Sequence, residues 1–170
     1  MQGINHKILK VDLSRQEYSI DEHDDIFYRK YIGGRGIALY YMHRELDPEV
    51  DPYGPENMLV FAGSIIVGAP GPAIPRLTVC AKSPLTNAFG ESEAGGFWAP
   101  ELKKAGFDAI VVTGRAEEPV YLWIKDGQVE FRSAEKLWGQ PTGEAQDMIR
   151  TELDDTQVRV VGIGPGAENL

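Results

Sequence analysis

Apolar and polar positions alternate at the start of the chain. Ile8, Lys10 and Asp12 fall on one parity and Leu9, Val11 and Leu13 on the other, which predicts a strand over residues 4–12. Ser14-Arg15-Gln16 reads as a turn and residues 17–20 as the returning strand. The period then changes. Asp24-Asp25 suits a helix start, because a short acidic side chain can accept from the free N–H groups of a first turn, and the helix is expected to run through Tyr31. Gly33-Gly34 break it, and residues 36–45 form a second helix, with Ile37, Tyr40, Tyr41 and Arg44 on adjoining turns. Leu46-Asp47-Pro48 ends that helix, since a residue before proline is pushed out of the helical region.

Residues 51–57 have loop composition and 58–62 a short apolar strand. Residues 63–75 carry Gly63, Gly68, Pro70, Gly71, Pro72 and Pro75, yet the loop is apolar rather than charged. Such a loop suits a surface covered by another domain or a ligand. Strands are expected at 77–81 and 87–91, around Lys82-Ser83-Pro84, then a short helix at 97–105 opened by Gly95-Gly96. Further strands follow at 109–113, 120–125 and 129–132, with Asp126-Gly127 as a hairpin turn. A helix at 142–153 would carry Ala145, Met148, Ile149 and Leu153 on one side, and 158–163 reads as a last strand. The elements do not alternate strand by helix, so the class is α+β with mixed sheets rather than a doubly wound parallel sheet. No internal linker splits the chain, and residues 1–170 read as a single domain.

Composition narrows the chemistry. The chain has 170 residues, 42% hydrophobic and 25% charged, enough for a real core. A net charge of −9 argues against nucleic acid and against an anionic membrane surface. There is no long apolar run. One cysteine, Cys80, supplies neither an internal disulfide nor an iron–sulfur site, which suits a reducing, cytoplasmic setting.

Three positions stand out chemically. Arg76 offers a planar fork of donors where a Gly/Pro loop meets a strand; a surface ion pair is the plainer alternative. Glu93-Ala94-Gly95-Gly96 lets a backbone approach a ligand closely and exposes N–H groups; a tight turn is the plainer alternative. Glu91 and Glu93 share a strand parity and could face one site. Gly33-Gly34-Arg35-Gly36 lacks the spacing of a dinucleotide loop and is expected to be a compact turn between helices. His6, His23 and His43 have no metal-binding spacing, Cys80 reads as a core residue, and no catalytic triad can be located.

The run from Pro75 to Gly114, with K-S-P-L-T, A-G-G-F before E-L-K, and A-G-F-D-A-I-V-V, resembles the aldehyde ferredoxin oxidoreductase family. The likeness also takes in G-G-R-G-I at 33–37, L-D-P at 46–48, P-E-N at 55–57 and I-G-P-G-A-E-N-L at 163–170. Members of that family are several times longer, so the chain resembles their N-terminal domain alone.

The resemblance implies two similar strand-helix-multistrand units. It implies a tungsten (or molybdenum) bispterin with a bridging magnesium, contacted by the residues matching Arg76, Glu93 and Gly95. Some members carry asparagine at the position of Glu93, so a side-chain role bridged by a cation and a main-chain role both stay open there. The [4Fe-4S] cluster would lie in the missing C-terminal part. The parent enzyme would oxidise aldehydes to carboxylates and pass electrons to ferredoxin or a similar carrier. This chain alone would be inactive, its partners being the remaining domains, with a homo-oligomer compatible. Two alternatives are kept: a non-catalytic binding or assembly module of the same fold, and a domain of a related tungsten acyl-CoA ring reductase.

Overall fold

The computed structural model describes residues 3–169. Leu170, the last residue of the closing motif, lies outside them. The chain divides into two compact units, one of Met1–Ala116 with Ile124–Val129, the other of Glu117–Trp123 with Glu130–Leu170.

The first unit is built on a six-stranded mixed sheet. Its strands are β1 (Lys7–Asp12), β2 (Glu17–Glu22), β3 (Leu59–Gly63), β4 (Arg76–Lys82), β5 (Phe89–Gly95) and β6 (Ala109–Thr113), in the order β2-β1-β6-β3-β4-β5. The β1–β6 pair is parallel and every other pair antiparallel. The α+β class with a mixed sheet is therefore as the sequence implies.

Local chemistry sets the helix ends. Asp24 caps α1 (Asp25–Tyr31): its Oδ1 accepts from the Phe27 N–H at 2.9 Å. Ile32 ends that helix with φ 63°, its N–H donating to the Tyr28 carbonyl. Gly33 (φ +98°) and Gly34 (φ +49°) make the turn into α2 (Arg35–Glu45), and Leu46 leaves it in an extended conformation. A Cβ on Gly33 would lie 2.5 Å from the Gly63 carbonyl oxygen, so only glycine lets this turn close on the end of β3.

One sheet face carries the main core. Ile8, Val60, Ala62, Cys80, Ala109 and Val111 meet Phe27, Tyr28, Ile37, Ala38, Tyr41 and Met42 of α1 and α2. Each large side chain buried in this way stabilises the fold by about 1.5–3 kcal/mol, so this helical layer dominates the first unit. On β4, the residues of opposite parity to Cys80 face another cluster. There Val67, Leu77 and Ala99, with Phe61, Val79 and Trp98, seat α3 (Trp98–Lys104) against β3 and β4.

Strands β7 (Val120–Lys125) and β8 (Gln128–Ser133) form a hairpin around Asp126 (φ 50°) and Gly127 (φ +80°), as the turn signal predicts. In the second unit α4 (Thr142–Glu152) buries Ile149 and half-buries Ala145 and Leu153, while Met148 faces outward, contrary to the expected apolar face. The short α5 (Pro165–Glu168) follows. Residues 158–163, expected to be a strand, are not one. Their apolar run finds no strand to pair with, and Val161 and Ile163 remain exposed. Arg150 Nε donates to the Val158 carbonyl instead, at 3.1 Å.

Candidate ligand-binding site

Backbone register assembles the site. In the β4–β5 ladder Arg76 pairs with Gly95, Thr78 with Glu93 and Cys80 with Glu91. Because side chains alternate, Arg76, Thr78, Glu91 and Glu93 share the sheet face that carries α2. The sequence thus brings its three site candidates, Arg76, Glu93 and Gly95, to one end of one strand pair. Their exact local setting differs from expectation. Pairing runs as far as Arg76–Gly95, so Gly95 ends a strand instead of opening a helix, and α3 begins at Trp98 without a side-chain cap.

Arg76 is exposed, and its guanidinium makes no hydrogen bond or ion pair among the described residues. Beside it the backbone is bare. An ideal Cβ on Gly95 would find only the Pro75 carbonyl oxygen, at 3.9 Å. One on Gly96, at φ +122°, would meet nothing within 4 Å. Side-chain bulk is missing where an unpartnered cation stands, and that combination suits an anionic ligand lying close to main chain.

Arg35, at the start of α2, is the residue that sequence reasoning missed. Gly33-Gly34 do form the expected interhelical turn, but the turn also aims Arg35 at β5. Its Nε donates to Glu91 Oε1 at 2.9 Å, and its Nη2 makes an ion pair with the same oxygen at 2.8 Å and lies 3.9 Å from Glu93 Oε1. The shared parity of Glu91 and Glu93 was the available signal; their cationic partner, more than fifty residues away in the chain, had none.

A buried polar cluster was also not foreseen. Asp108 accepts from the Tyr28 hydroxyl at 2.9 Å and the Asn5 N–H at 2.9 Å, with Lys103 Nζ at 3.8 Å. Lys103 in turn donates to the Ser64 and Ile65 carbonyls, both at 3.0 Å, and so ties α3 to the base of the apolar 63–75 loop. Burial pushes the Asp108 carboxyl above its ordinary range and the Lys103 ammonium below its own.

Cys80 is buried in the core, and burial, with Glu91 second, pushes its thiol up to about 11. His23 stacks on Phe27 with ring centroids 3.8 Å apart, and its Nε2 lies 2.8 Å from the Tyr41 hydroxyl. Among the described residues no group of three His, Cys, Asp or Glu side chains could hold a metal ion. None of their helices is long and apolar enough to cross a membrane. The arrangement of Arg76 beside open main chain suits an anion.

Comparison with known proteins bears on the family and the fold. The family model "Aldehyde ferredoxin oxidoreductase, N-terminal domain" matches residues 8–170. The chain is 41% identical over its whole length to a tungsten-containing aldehyde ferredoxin oxidoreductase of Pyrococcus furiosus, covering 28% of that protein. It is 32% identical to the WOR-like subunit of an aliphatic sulfonate oxidoreductase of the same organism, covering 99% of this chain and 29% of that one. Among solved structures, the active site complex BamBC of benzoyl coenzyme A reductase, in complex with 1,5 dienoyl-CoA, superposes with a TM-score of 0.92 at 36% identity. That match covers 95% of this chain and 25% of the other. The chain spans less than a third of the length of the relatives it matches.

Fold and relatives together define an α+β domain from a class of oxidoreductases. The chain belongs to the aldehyde ferredoxin oxidoreductase family, of which it is the N-terminal domain.

Proposed function

We propose that this chain forms one wall of a tungsten-pterin site in an oxidoreductase that converts aldehydes to carboxylates and passes the two electrons to ferredoxin or a similar carrier. The observation that carries the reading is the unpartnered Arg76 guanidinium beside the open Gly95–Gly96 main chain. Relatives at 41% and 40% identity are named as tungsten-containing enzymes.

The residues present fit such a group. Arg76 would hold its anionic or heteroatom edge with a planar fork, and the missing side chains at Gly95 and Gly96 would let it lie against the backbone. Glu93 would face the phosphates through a bridging magnesium or by its main chain. Bound there, the cofactor would supply the two-electron carbonyl chemistry, while the protein contributes binding, orientation and electrostatics. A single cysteine cannot hold a cluster, so a [4Fe-4S] centre would come from outside this chain, as would the substrate pocket. Residues 1–170 would serve as a single cofactor-binding domain, silent by itself in dye-linked aldehyde oxidation.

A second reading has one specific support. The likeness to a benzoyl coenzyme A reductase complex favours an acyl-CoA ring reductase of the same family. Turnover of the full-length protein with aldehydes and with aromatic acyl-CoA esters decides between the two.

The test of the shared proposal is Arg76→Ala in the full-length protein. A charge-assisted contact contributes roughly 1.5–3 kcal/mol, so cofactor retention under competition should fall about tenfold or more while the domain still folds. Arg76→Lys should recover little, because a point charge does not replace the fork. Wild-type tungsten and pterin content in Arg76→Ala would remove the reading.

A further inference from the structure

Resting on that reading of the site, we infer that Arg35 is a positioning residue that screens the Glu91–Glu93 carboxylate pair, so that an anionic ligand can settle between Arg76 and the Gly95–Gly96 bend.

The charge arrangement is lopsided without it. Glu91 and Glu93 are i and i+2 on the edge strand β5 and project on one face. Glu93 pairs with Thr78, which makes it the diagonal cross-strand neighbour of Arg76, with Cβ atoms about 7 Å apart in such geometry. Two carboxylates there would offset the one free guanidinium and repel a phosphate-bearing group. The reach of Glu93 exceeds that separation, since the Debye length is about 8 Å at physiological ionic strength, while Glu91, opposite Cys80, stands further along the ladder and acts more weakly.

Arg35 reverses the balance. It directs two donors at Glu91 and brings Nη2 to within 3.9 Å of Glu93. The Arg35 and Arg76 guanidiniums together match the two carboxylates in charge; without Arg35 this group of side chains is net negative. The backbone aims the side chain. Gly34 precedes Arg35 at φ +49°, and an ideal Cβ on Gly34 would sit 3.1 Å from Thr78 Oγ1, so the start of α2 rests directly on β4.

A screening role makes a different demand from direct contact. Screening needs a positive charge near the carboxylates, not a fork on the ligand. In the full-length protein, Arg35→Ala should lower tungsten and pterin content by about two- to fivefold, the range of an exposed ion pair. Arg35→Lys should keep most of it, unlike Arg76→Lys. Adding Glu91→Gln, which neutralises the main partner of Arg35, to Arg35→Ala should restore part of the retention, and the defect of Arg35→Ala should shrink with added salt.

Retention equal to wild type in Arg35→Ala, with Arg76→Ala defective, overturns the inference and leaves the reading of the site standing. Failure of the Arg35→Ala, Glu91→Gln double variant to recover overturns it in favour of direct contact or a fold defect, which thermal unfolding separates. Retention unaffected by Arg76→Ala overturns both.

Discussion

At the scale of single residues, Asp108 is the most constrained group in the first unit. It is 3% exposed, and donors from Tyr28, Asn5 and Lys103 converge on it. Burial outweighs those donors and raises its pKa. A raised carboxyl favours the protonated form on folding. The stability it contributes is therefore full below the ordinary carboxylate pKa of about 4 and is lost as pH rises through the raised value. Asp108→Asn should cost most in acid, and the gap to wild type should narrow toward neutral pH. Urea unfolding of both proteins across that window checks the sign, and a gap that widens with pH would show the donors winning over burial. None of this was legible in the sequence, where Asp108 is one acid within an apolar run and its partners lie far off along the chain. Arg76 and Gly95 stood out as candidates, because a forked cation at a loop–strand junction and a glycine pair need no partner in order to be seen, and the strand register brings the two together.

At the scale of elements, the two glycine turns make contrasting demands. Gly33 has φ +98° and backbone on its side-chain side, with the Gly63 carbonyl oxygen 2.5 Å and Ser64 Cα 2.6 Å from an ideal Cβ. Gly127 has φ +80° and open space. Gly33→Ala should thus cost more than the roughly 1–3 kcal/mol of backbone strain, since β3 must also shift, whereas Gly127→Ala should cost the conformational part alone. Denaturant midpoints of the two variants measure the difference, and equal losses would mean that the close approach of α2 to β3 is loose. The strands and helices were mostly readable from period and turn chemistry. The exceptions were the end of β5, the exposure of Met148 and the missing strand at 158–163. Each depends on a neighbour: a strand is completed by its pairing, and an apolar run without a partner strand does not become one.

At the scale of the whole molecule, apolar surface is the clearest consequence of the fold. Ile66 is 55% exposed and Phe97 68%, and residues 68–73 of the Gly/Pro loop are exposed throughout. Exposed together, such groups favour association. The chain by itself should self-associate and bind a hydrophobic dye; a strictly monomeric sedimentation profile at high concentration, with no dye binding, would count against this.

The parallel pairing of β1 with β6 bears on how the molecule is made. Ile8 lies opposite Ala109, and β6 is also the strand that joins β1 to β3. As the chain is made, β1 must wait for a partner about 100 residues behind it, several seconds or more at roughly 5–20 residues per second. Until then the β1–β2 hairpin, the two helices after it, the β3–β5 meander and α3 can form, but β1 and β3 lack the strand that joins them. The centre of the sheet is its last seam to close. Nascent chains arrested before β6 has emerged should be cleaved readily by protease, and chains arrested well after it should resist.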